Sequence, residues 1–176
     1  IKVEGLKEAK LPLPDGHAWF TDKDKPGRNG LQLQATGKVI ELPEVGDFDL
    51  KDSFSISAWV RNGKRNQIGA ILARMEAVSG KHRGWDLFMQ SDRVGFHLIN
   101  SYPGNYLKVV AKNALPLNQW KHVTLTYDGS GKASGVKLYY DGEPQPFDTE
   151  GDSLSATTRT KVPFKIGQRH TDSRLG

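Results

Sequence analysis

A short aromatic loop holds the residues of this chain whose chemistry best suits a ligand. The segment Ser101 to Tyr106, SYPGNY, places Tyr102 and Tyr106 on either side of Asn105. The C–H face of a pyranose ring stacks on an aromatic ring, while amides and acids bind its hydroxyl groups. The loop therefore predicts a carbohydrate contact at Tyr102, Asn105 and Tyr106.

Three residues outside the loop have matching chemistry. Trp85, Asp86 and His97 offer a further ring, a carboxylate and an imidazole, and we expect them on strands next to the loop. The alternative interpretation is a hairpin loop whose tyrosines cap the hydrophobic core. Both interpretations remain open on the sequence alone.

Such a loop must be positioned by strands, and the clearest strand pair follows it. Apolar residues alternate with threonines over 123–127, and the same period of two recurs over 136–141. Period two indicates a β-strand with one buried face. Asp141 and Gly142 favour a tight reversal, which predicts a further short strand over 143–147.

The rest of the chain repeats this pattern. Alternation over 54–60, 84–90 and 94–100 indicates strands, and residues 91–93 predict the turn of a second hairpin. Helical periodicity is ambiguous over 154–158 and unconvincing elsewhere. Roughly ten or more short strands separated by turn signals predict an all-β fold, an antiparallel two-sheet β-sandwich of the jelly-roll type.

Length and composition limit the number of domains and the kinds of site that the chain can contain. A chain of 176 residues fits one domain. We expect a linker or loosely held first strand over 1–16 and the domain over 17–176; because the chain starts at Ile1, we expect a piece of a longer protein. The chain lacks cysteine, which excludes disulfides and thiolate metal sites but leaves the compartment open. No apolar run approaches the roughly 18 residues of a membrane helix.

The net charge of +5 and the pI of about 9.4 raise the question of a nucleic-acid partner. Basic residues are concentrated in one region, but glycines and polar residues interrupt them and no recognised nucleic-acid motif carries them. A solvated face fits better than a phosphate-binding groove, because basic residues commonly blunt exposed sheet edges. We therefore expect no nucleic-acid partner. The basic residues are Arg61, Lys64, Arg65, Arg74, Lys81 and Arg83.

Three segments match a known pattern in order and spacing. They are FSISAWVR from Phe54, QWKHVTLTYDG with GVKLYYDGEP from Gln119, and PFKIGQR from Pro163. Together they resemble the laminin G-like, concanavalin A-like lectin/glucanase jelly-roll domains of large secreted bacterial proteins, over about residues 19–169. The resemblance implies the fold and an extracytoplasmic location: periplasmic, secreted or cell-surface. It says little about function, because the shared residues are core and turn residues.

The resemblance also implies roles for individual residues. Trp59 and Trp120 would belong to the packed framework, and His122 would fill a framework position without a catalytic role. Trp19 is expected to pack under the first strand. Related domains continue after the KIG strand into a last strand similar to IDEVRIYNRAL. This sequence does not contain it, so we expect either an unpaired sheet edge or another segment in that place.

Catalytic patterns are weak. The glucanase relatives place acids as E-x-D-x-E on one strand, where alternation directs all three into one cleft. Here Asp47 and Asp49 share a face but Glu44 does not, and Pro43 and Gly46 disfavour a strand. No G-x-S-x-G motif frames a serine. We therefore expect that the domain is not an enzyme.

Calcium is the ion that the resemblance suggests, since many related modules bind it with loop carboxylates. Asp22 and Asp24 begin like an EF-hand loop, but Leu33 and Ala35 stand where its bidentate glutamate belongs. A site built from separate loops would use Asp22, Asp24 and Asp49; the alternative is ordinary polar loop chemistry. The five histidines show no zinc-type spacing.

Two functions fit these observations. The first is a non-catalytic recognition module for a glycan or a protein surface, which binds through a concave sheet and its loops. The second is a structural spacer or protein-docking domain with no ligand of its own. We favour carbohydrate binding. The expected ligand-binding residues are Tyr102, Asn105, Tyr106, Trp85, Asp86 and His97.

Overall fold

The computed structural model of the protein describes residues 14–23, 29–34, 37–43, 45–78 and 81–170. Apart from one short 3-10 turn at Ala133–Gly135, every regular element in these ranges is a β-strand. The strands are β1 (Ala18–Thr21), β2 (Asn29–Gln32), β3 (Ile40–Leu42), β4 (Phe54–Arg61), β5 (Ile68–Val78), β6 (Lys81–Gln90), β7 (Arg93–Ser101), β8 (Asn105–Ala114), β9 (Trp120–Tyr127), β10 (Val136–Tyr140), β11 (Glu143–Pro144), β12 (Phe147–Asp152) and β13 (Phe164–Ile166).

The strands form two large antiparallel sheets and one small one. The seven-stranded sheet has the order β12-β8-β7-β6-β5-β13-β3, and the four-stranded sheet has the order β11-β10-β9-β4. Strands β1 and β2 form a separate hairpin. Among the described residues no helix has the length and hydropathy needed to cross a bilayer. This architecture confirms the predicted antiparallel β-sandwich.

One hydrophobic core lies between the two large sheets. Alternate residues of the longer strands contribute to it, such as Leu87 and Phe96 from the larger sheet and Val123 and Leu125 from the smaller one. These four side chains are fully shielded from solvent. Because the side chains of a strand alternate between its faces, the intervening residues of β6 and β7 must lie on the outer face of the larger sheet.

The chain changes sheets shortly after the turn at Asp141 and Gly142. The sequence predicted one short strand over 143–147, whereas the structure has two: β11 pairs with β10, and β12 pairs with β8 of the other sheet. Two prolines, at 144 and 146, flank the crossing, and a proline cannot donate to a sheet ladder. The ambiguous segment 154–158 has no helix.

The structure corrects the expectations for two tryptophans, Trp59 and Trp19. Trp120 packs against Phe20 of β1 and donates from Nε1 to Asp22 at 2.8 Å, so it joins the β1–β2 hairpin to the four-stranded sheet. Trp59 instead lies on the outer face of the four-stranded sheet, 53% exposed, against the ring of His122. Trp19 is 67% exposed, so its ring is not packed as expected, while most of the segment 1–16 lies outside the described residues. His122 also lies on this outer face, outside the core.

Candidate functional site

Four of the six predicted ligand-binding residues, Asp86, His97, Tyr102 and Tyr106, lie on the outer side of the seven-stranded sheet or in the turn that borders it, and Asn105 lies next to Tyr106. Asp86 of β6 stands directly opposite His97 of β7 in the strand register. Tyr102 lies in the turn after β7, and Asn105 and Tyr106 begin β8. The hairpin turns therefore bring these residues to neighbouring strands, as the sequence analysis expected.

Trp85 does not join them. Its side chain is 2% exposed and belongs to the core between the sheets, where its ring lies 5.6 Å from that of Phe48. The indole Nε1 donates to the carbonyl of Gly46 at 2.8 Å. Since Trp85 and Asp86 are consecutive in a strand, they must point to opposite faces. A ligand on the outer face cannot reach this ring.

Asp86 is the centre of a buried ionic cluster. Its side chain has no exposed surface, yet its Oδ1 lies 2.7 Å from Nδ1 of His97 and its Oδ2 lies 3.1 Å from Nη1 of Arg169. Arg169 comes from the segment after β13 and reaches back over the sheet. Buried charges persist in proteins when they are paired and hydrogen-bonded, and both oxygens of this carboxylate have partners.

The pKa of Asp86 follows from this environment. Burial by itself raises the pKa of a carboxyl group, because it removes water from the charged form. The neighbouring His97 and then Arg169 outweigh burial, through charge and hydrogen bonding, and hold the pKa of Asp86 below its ordinary value of 3.8. The carboxylate is therefore ionised at neutral pH and can only accept hydrogen bonds.

The imidazole of His97 is held by packing as well as by Asp86. The ring of Phe88 stacks on it, with ring centroids 4.2 Å apart and planes 12° apart. Gly95 makes this arrangement possible, because a Cβ there would lie 2.4 Å from Cζ of Phe88. Asp86, His97 and Phe88 therefore form a rigid patch whose polar groups bond to partners within the protein.

The polar residues beside this patch are also paired with one another. Lys108 contacts Glu150 at 2.6 Å and donates to Gln90 at 3.0 Å. Gln90 in turn donates to Glu150 at 3.3 Å. These contacts join β6, β8 and β12, so the three side chains hold the sheet together.

An aromatic corner of His82, Tyr102 and Tyr106 borders the patch. The ring centroids of Tyr102 and Tyr106 are 5.0 Å apart, and those of His82 and Tyr102 are 6.0 Å apart. Tyr102 is 50% exposed, whereas the other two side chains are partly buried. Tyr102 therefore presents ring surface to solvent on a base formed by its two neighbours.

Tyr106 is fixed from the other side by β12. Its hydroxyl donates to the carbonyl of Glu150 at 3.1 Å. The backbone of Gly151 passes close to its ring, and a Cβ there would lie 2.1 Å from Cε2. A glycine is therefore required at this position for β12 to lie over Tyr106, and the tyrosine supports Tyr102.

The amide of Asn105 makes two hydrogen bonds within the protein. Its Nδ2 donates to Oγ of Ser155 at 2.8 Å, and its Oδ1 accepts from the backbone N–H of Ser155 at 2.9 Å. These bonds fix the segment after β12 to the start of β8. Asn105 thus positions the loop, and its amide would have to leave Ser155 to bind a ligand with the same groups.

His82 adds an uncharged polar group to the aromatic corner. Burial lowers the pKa of its imidazole below the ordinary value of 6.5, and the charge of nearby Arg169 lowers it further. A neutral imidazole carries one donor and one acceptor nitrogen. At neutral pH the corner therefore combines stacking surface with groups that match sugar hydroxyls.

Two of the three acids predicted for calcium, Asp22 and Asp49, lie near opposite ends of β9. Asp22 is next to Trp120 at the start of β9, while Asp49 is near Leu50, whose carbonyl binds Tyr127 at the end of β9. Asp24 lies outside the described residues. Over the described ranges, no group of three or more His, Cys, Asp or Glu side chains could hold a metal ion.

A guanidinium group occupies the acidic loop that precedes β4. Arg159 lies within 3.1 to 3.6 Å of the carboxylates of Asp47, Asp49 and Asp52. Asp49 also accepts from Thr158 N–H at 2.9 Å. Asp47 and Asp49 belong to a loop, not to a strand, and the third acid considered for a glucanase pattern, Glu44, lies outside the described residues.

Sequence reasoning missed His82 and Arg169. Arg169 follows β13 and is distant in sequence from Asp86, so no local spacing indicates the contact. His82 lies in β6 at an even position like Asp86, and an earlier start of the predicted strand 84–90 would have placed both on one face. Strand alternation could therefore have indicated His82, whereas no sequence pattern indicated Arg169.

A comparison with protein families identifies the fold family of this sandwich. The laminin G-like family model described as "Concanavalin A-like lectin/glucanases superfamily" matches residues 34–175. The chain belongs to this superfamily. No curated protein matches the chain.

Membership of the concanavalin A-like superfamily supports a binding module in general. Its laminin G-like domains are generally non-catalytic and bind glycans or proteins, although the superfamily also includes glucanases. Such domains are commonly extracellular. The family therefore narrows the class of function, while the ligand has to be argued from this chain's own residues.

Proposed function

We propose that this domain is a non-catalytic carbohydrate-recognition module of an extracytoplasmic protein, and that it binds sugar at the aromatic corner of His82, Tyr102 and Tyr106. The observation that carries the proposal is the half-exposed ring of Tyr102 held against Tyr106. A ring that is already fixed loses little conformational freedom when a sugar stacks on it. His82 supplies hydrogen-bonding nitrogens beside it.

A glycan array tests this proposal. The purified domain is applied with calcium and, separately, with a chelator, next to the variants Tyr102→Ala and Trp59→Ala. Trp59 is a matched control, because it is an aromatic residue of similar exposure on the opposite sheet. We expect selective binding that is weakened by Tyr102→Ala and retained by Trp59→Ala. The comparison with the chelator decides whether calcium takes part.

A protein-docking or spacer domain is the second candidate, and one observation favours it. The polar groups of Asp86, His97 and Asn105 are all engaged within the protein. If these contacts serve only to hold the sheet and its loops, the array will show uniform background binding with every sugar. That result, from a folded protein, would replace the carbohydrate proposal with this one.

A further inference from the structure

The four-stranded sheet carries an open depression of about 580 Å³ on its outer face. Its floor is one cross-strand row: Ser55 of β4 is paired with Thr126 of β9, which is paired with Lys137 of β10. Asp128 and Ser134 border it from the loop between β9 and β10. The depression is on the opposite sheet from the aromatic corner.

Strand alternation fixes the direction of the floor side chains. The residues next to them in sequence, such as Phe54, Leu125 and Val136, are buried in the core. Ser55, Thr126 and Lys137 must therefore project outward, side by side at the strand spacing of about 4.8 Å. A ligand in the depression would meet groups whose spacing is set before it binds.

These groups retain hydrogen-bonding capacity. In the described part of the chain, the side chains of Ser55, Thr126, Ser134 and Lys137 form no hydrogen bond and no ion pair. The outer face of the other sheet differs, because Asp86, Lys108 and Glu150 are paired there. Exposed hydroxyl groups each offer a donor and an acceptor.

The carboxylate of Asp128 adds a hydrogen-bond acceptor to the depression, and its negative charge is opposite to that of Lys137. The hydroxyl and the backbone N–H of Ser130 lower the pKa of Asp128, and the charge of Lys137 lowers it further. Gly135 leaves room for this carboxylate, since a Cβ there would lie 2.0 Å from Oδ1. The depression thus combines one negative charge, one positive charge and the three hydroxyls of Ser55, Thr126 and Ser134 that are unpaired among the described residues, which disfavours an anionic ligand and suits a neutral one.

Apolar ligands fit poorly for a separate reason. The two aromatic residues at the depression, Phe54 and Tyr127, point their rings into the core. Tyr127 donates its hydroxyl to the carbonyl of Leu50 at 2.6 Å, on the inner side. The surface offered to a ligand is therefore polar, and its hydroxyl groups can both donate and accept hydrogen bonds.

We propose that this depression binds one unit of a neutral carbohydrate through Ser55, Thr126, Asp128, Ser134 and Lys137. It is a second sugar site, on the sheet opposite the aromatic corner. The proposal shares its ligand class with the proposed function but uses none of the same residues. Each site can therefore fail without the other.

Titration by 1H–15N NMR tests the second site with four defined probes: glucose, galactose, mannose and N-acetylglucosamine, each at millimolar concentrations. We expect at least one probe to cause saturable shifts in the amides of residues 55, 126, 134, 135 and 137. The double variant Ser55→Ala with Thr126→Val should bind that probe at least about tenfold more weakly, because it removes two hydroxyl partners.

The matched control is Ser57→Ala with Thr124→Val. These two residues form another cross-strand pair on the same face, two residues along each strand, outside the depression. We expect this control and Tyr102→Ala to retain the shifts at the depression. The proposal is overturned if no probe shifts these amides, or if the shifts survive in the Ser55/Thr126 variant. Shifts confined to the aromatic corner would also overturn it while supporting the first site.

Discussion

Nδ1 of His97 lies 2.7 Å from Oδ1 of Asp86 on a sheet face where Asp86 has no exposed surface. Because an ionised carboxylate can only accept, His97 must carry a proton on Nδ1. Arg169 completes the arrangement at 3.1 Å. The contact joins β6, β7 and the segment after β13, so its disruption should affect the whole larger sheet.

Substitution Asp86→Asn tests this contact. The asparagine keeps the shape of the side chain but removes the negative charge that contacts both Arg169 and His97. We therefore expect the free energy of unfolding to fall by about 2 to 4 kcal/mol. Denaturant unfolding monitored by fluorescence measures the change.

The control for Asp86→Asn is Asp148→Asn. Asp148 makes longer contacts in solvent, 3.5 Å to Lys112 and 3.9 Å to Arg93. Exposed pairs of this kind contribute at most about 1 kcal/mol. Equal losses in the two variants would contradict a special role for the buried cluster.

Acid should weaken the protein through the same group. The pKa of Asp86 is lower in the folded state than its ordinary value of 3.8, so below about pH 4 the unfolded chain binds more protons. The stabilisation is present above that pH and is lost as the pH falls through the folded-state pKa. Between about pH 5 and pH 2, the free energy of unfolding should therefore fall more steeply with decreasing pH for the wild type than for Asp86→Asn. Equal slopes would show that Asp86 does not cause the acid sensitivity.

His82 should act in a higher pH range. Its folded-state pKa lies below 6.5, so as the pH falls below about 6.5 the unfolded chain takes up a proton that the folded protein does not. Stability is retained above this value and declines below it until the folded-state pKa is passed. We expect His82→Gln to flatten the pH dependence in this range. An NMR titration of the His82 ring that gives an ordinary pKa would contradict the prediction.

Tyr102 is the residue whose loss should affect sugar binding most. Tyr102→Ala removes the exposed ring, and we expect any carbohydrate identified on the array to bind about 1 to 2 kcal/mol more weakly, on the scale of a lost aromatic contact. Calorimetry measures the affinity, and circular dichroism shows whether the variant is folded. Unchanged affinity in a folded variant would exclude Tyr102 from the site.

Gly151 should be coupled to Tyr106. In Gly151→Ala the new Cβ meets the Tyr106 ring, and we expect a loss of about 1 to 3 kcal/mol in stability from overpacking. In the background Tyr106→Ala the same glycine substitution should cost less, because the ring is gone. Gly104→Ala is the control, since a Cβ there meets nothing within 4 Å. Additive effects of the two changes would show that the ring and the glycine are independent.

Much of the fold could be predicted because strand alternation is a local property. The pattern from Phe54 to Val60 predicted β4 almost to its ends, and the predicted hairpin put Asp86 and His97 on neighbouring strands. The structure has a two-residue turn at Ser91 and Asp92, which sets the two residues directly opposite each other. The same rule puts Trp85 and Asp86 on opposite faces, so including both in one ligand site was inconsistent with the predicted strand. The structure shows which of the two faces is the core.

The candidate sites depended on information that alternation does not contain. Asn105 has the chemistry of a sugar ligand, but Ser155 takes up its amide from 50 residues away. Trp59 shares the face of Ser55 and Ser57, so alternation placed it on the outer side, and only the family resemblance had suggested a framework role for it.

The sequence by itself determined most of the strands, the turns and the superfamily, because period two, glycine turns and core residues are written in consecutive positions. Only the tertiary structure decided which polar groups remain for a ligand. Arg169 neutralises Asp86, Arg159 binds the acids before β4, and Ser155 ties Asn105, and each of these contacts joins distant segments. Alternation shows that Ser55 and Thr126 face outward, but only the packed structure shows that their hydroxyls keep no protein partner within the described ranges and that the ring of Tyr102 stays half exposed.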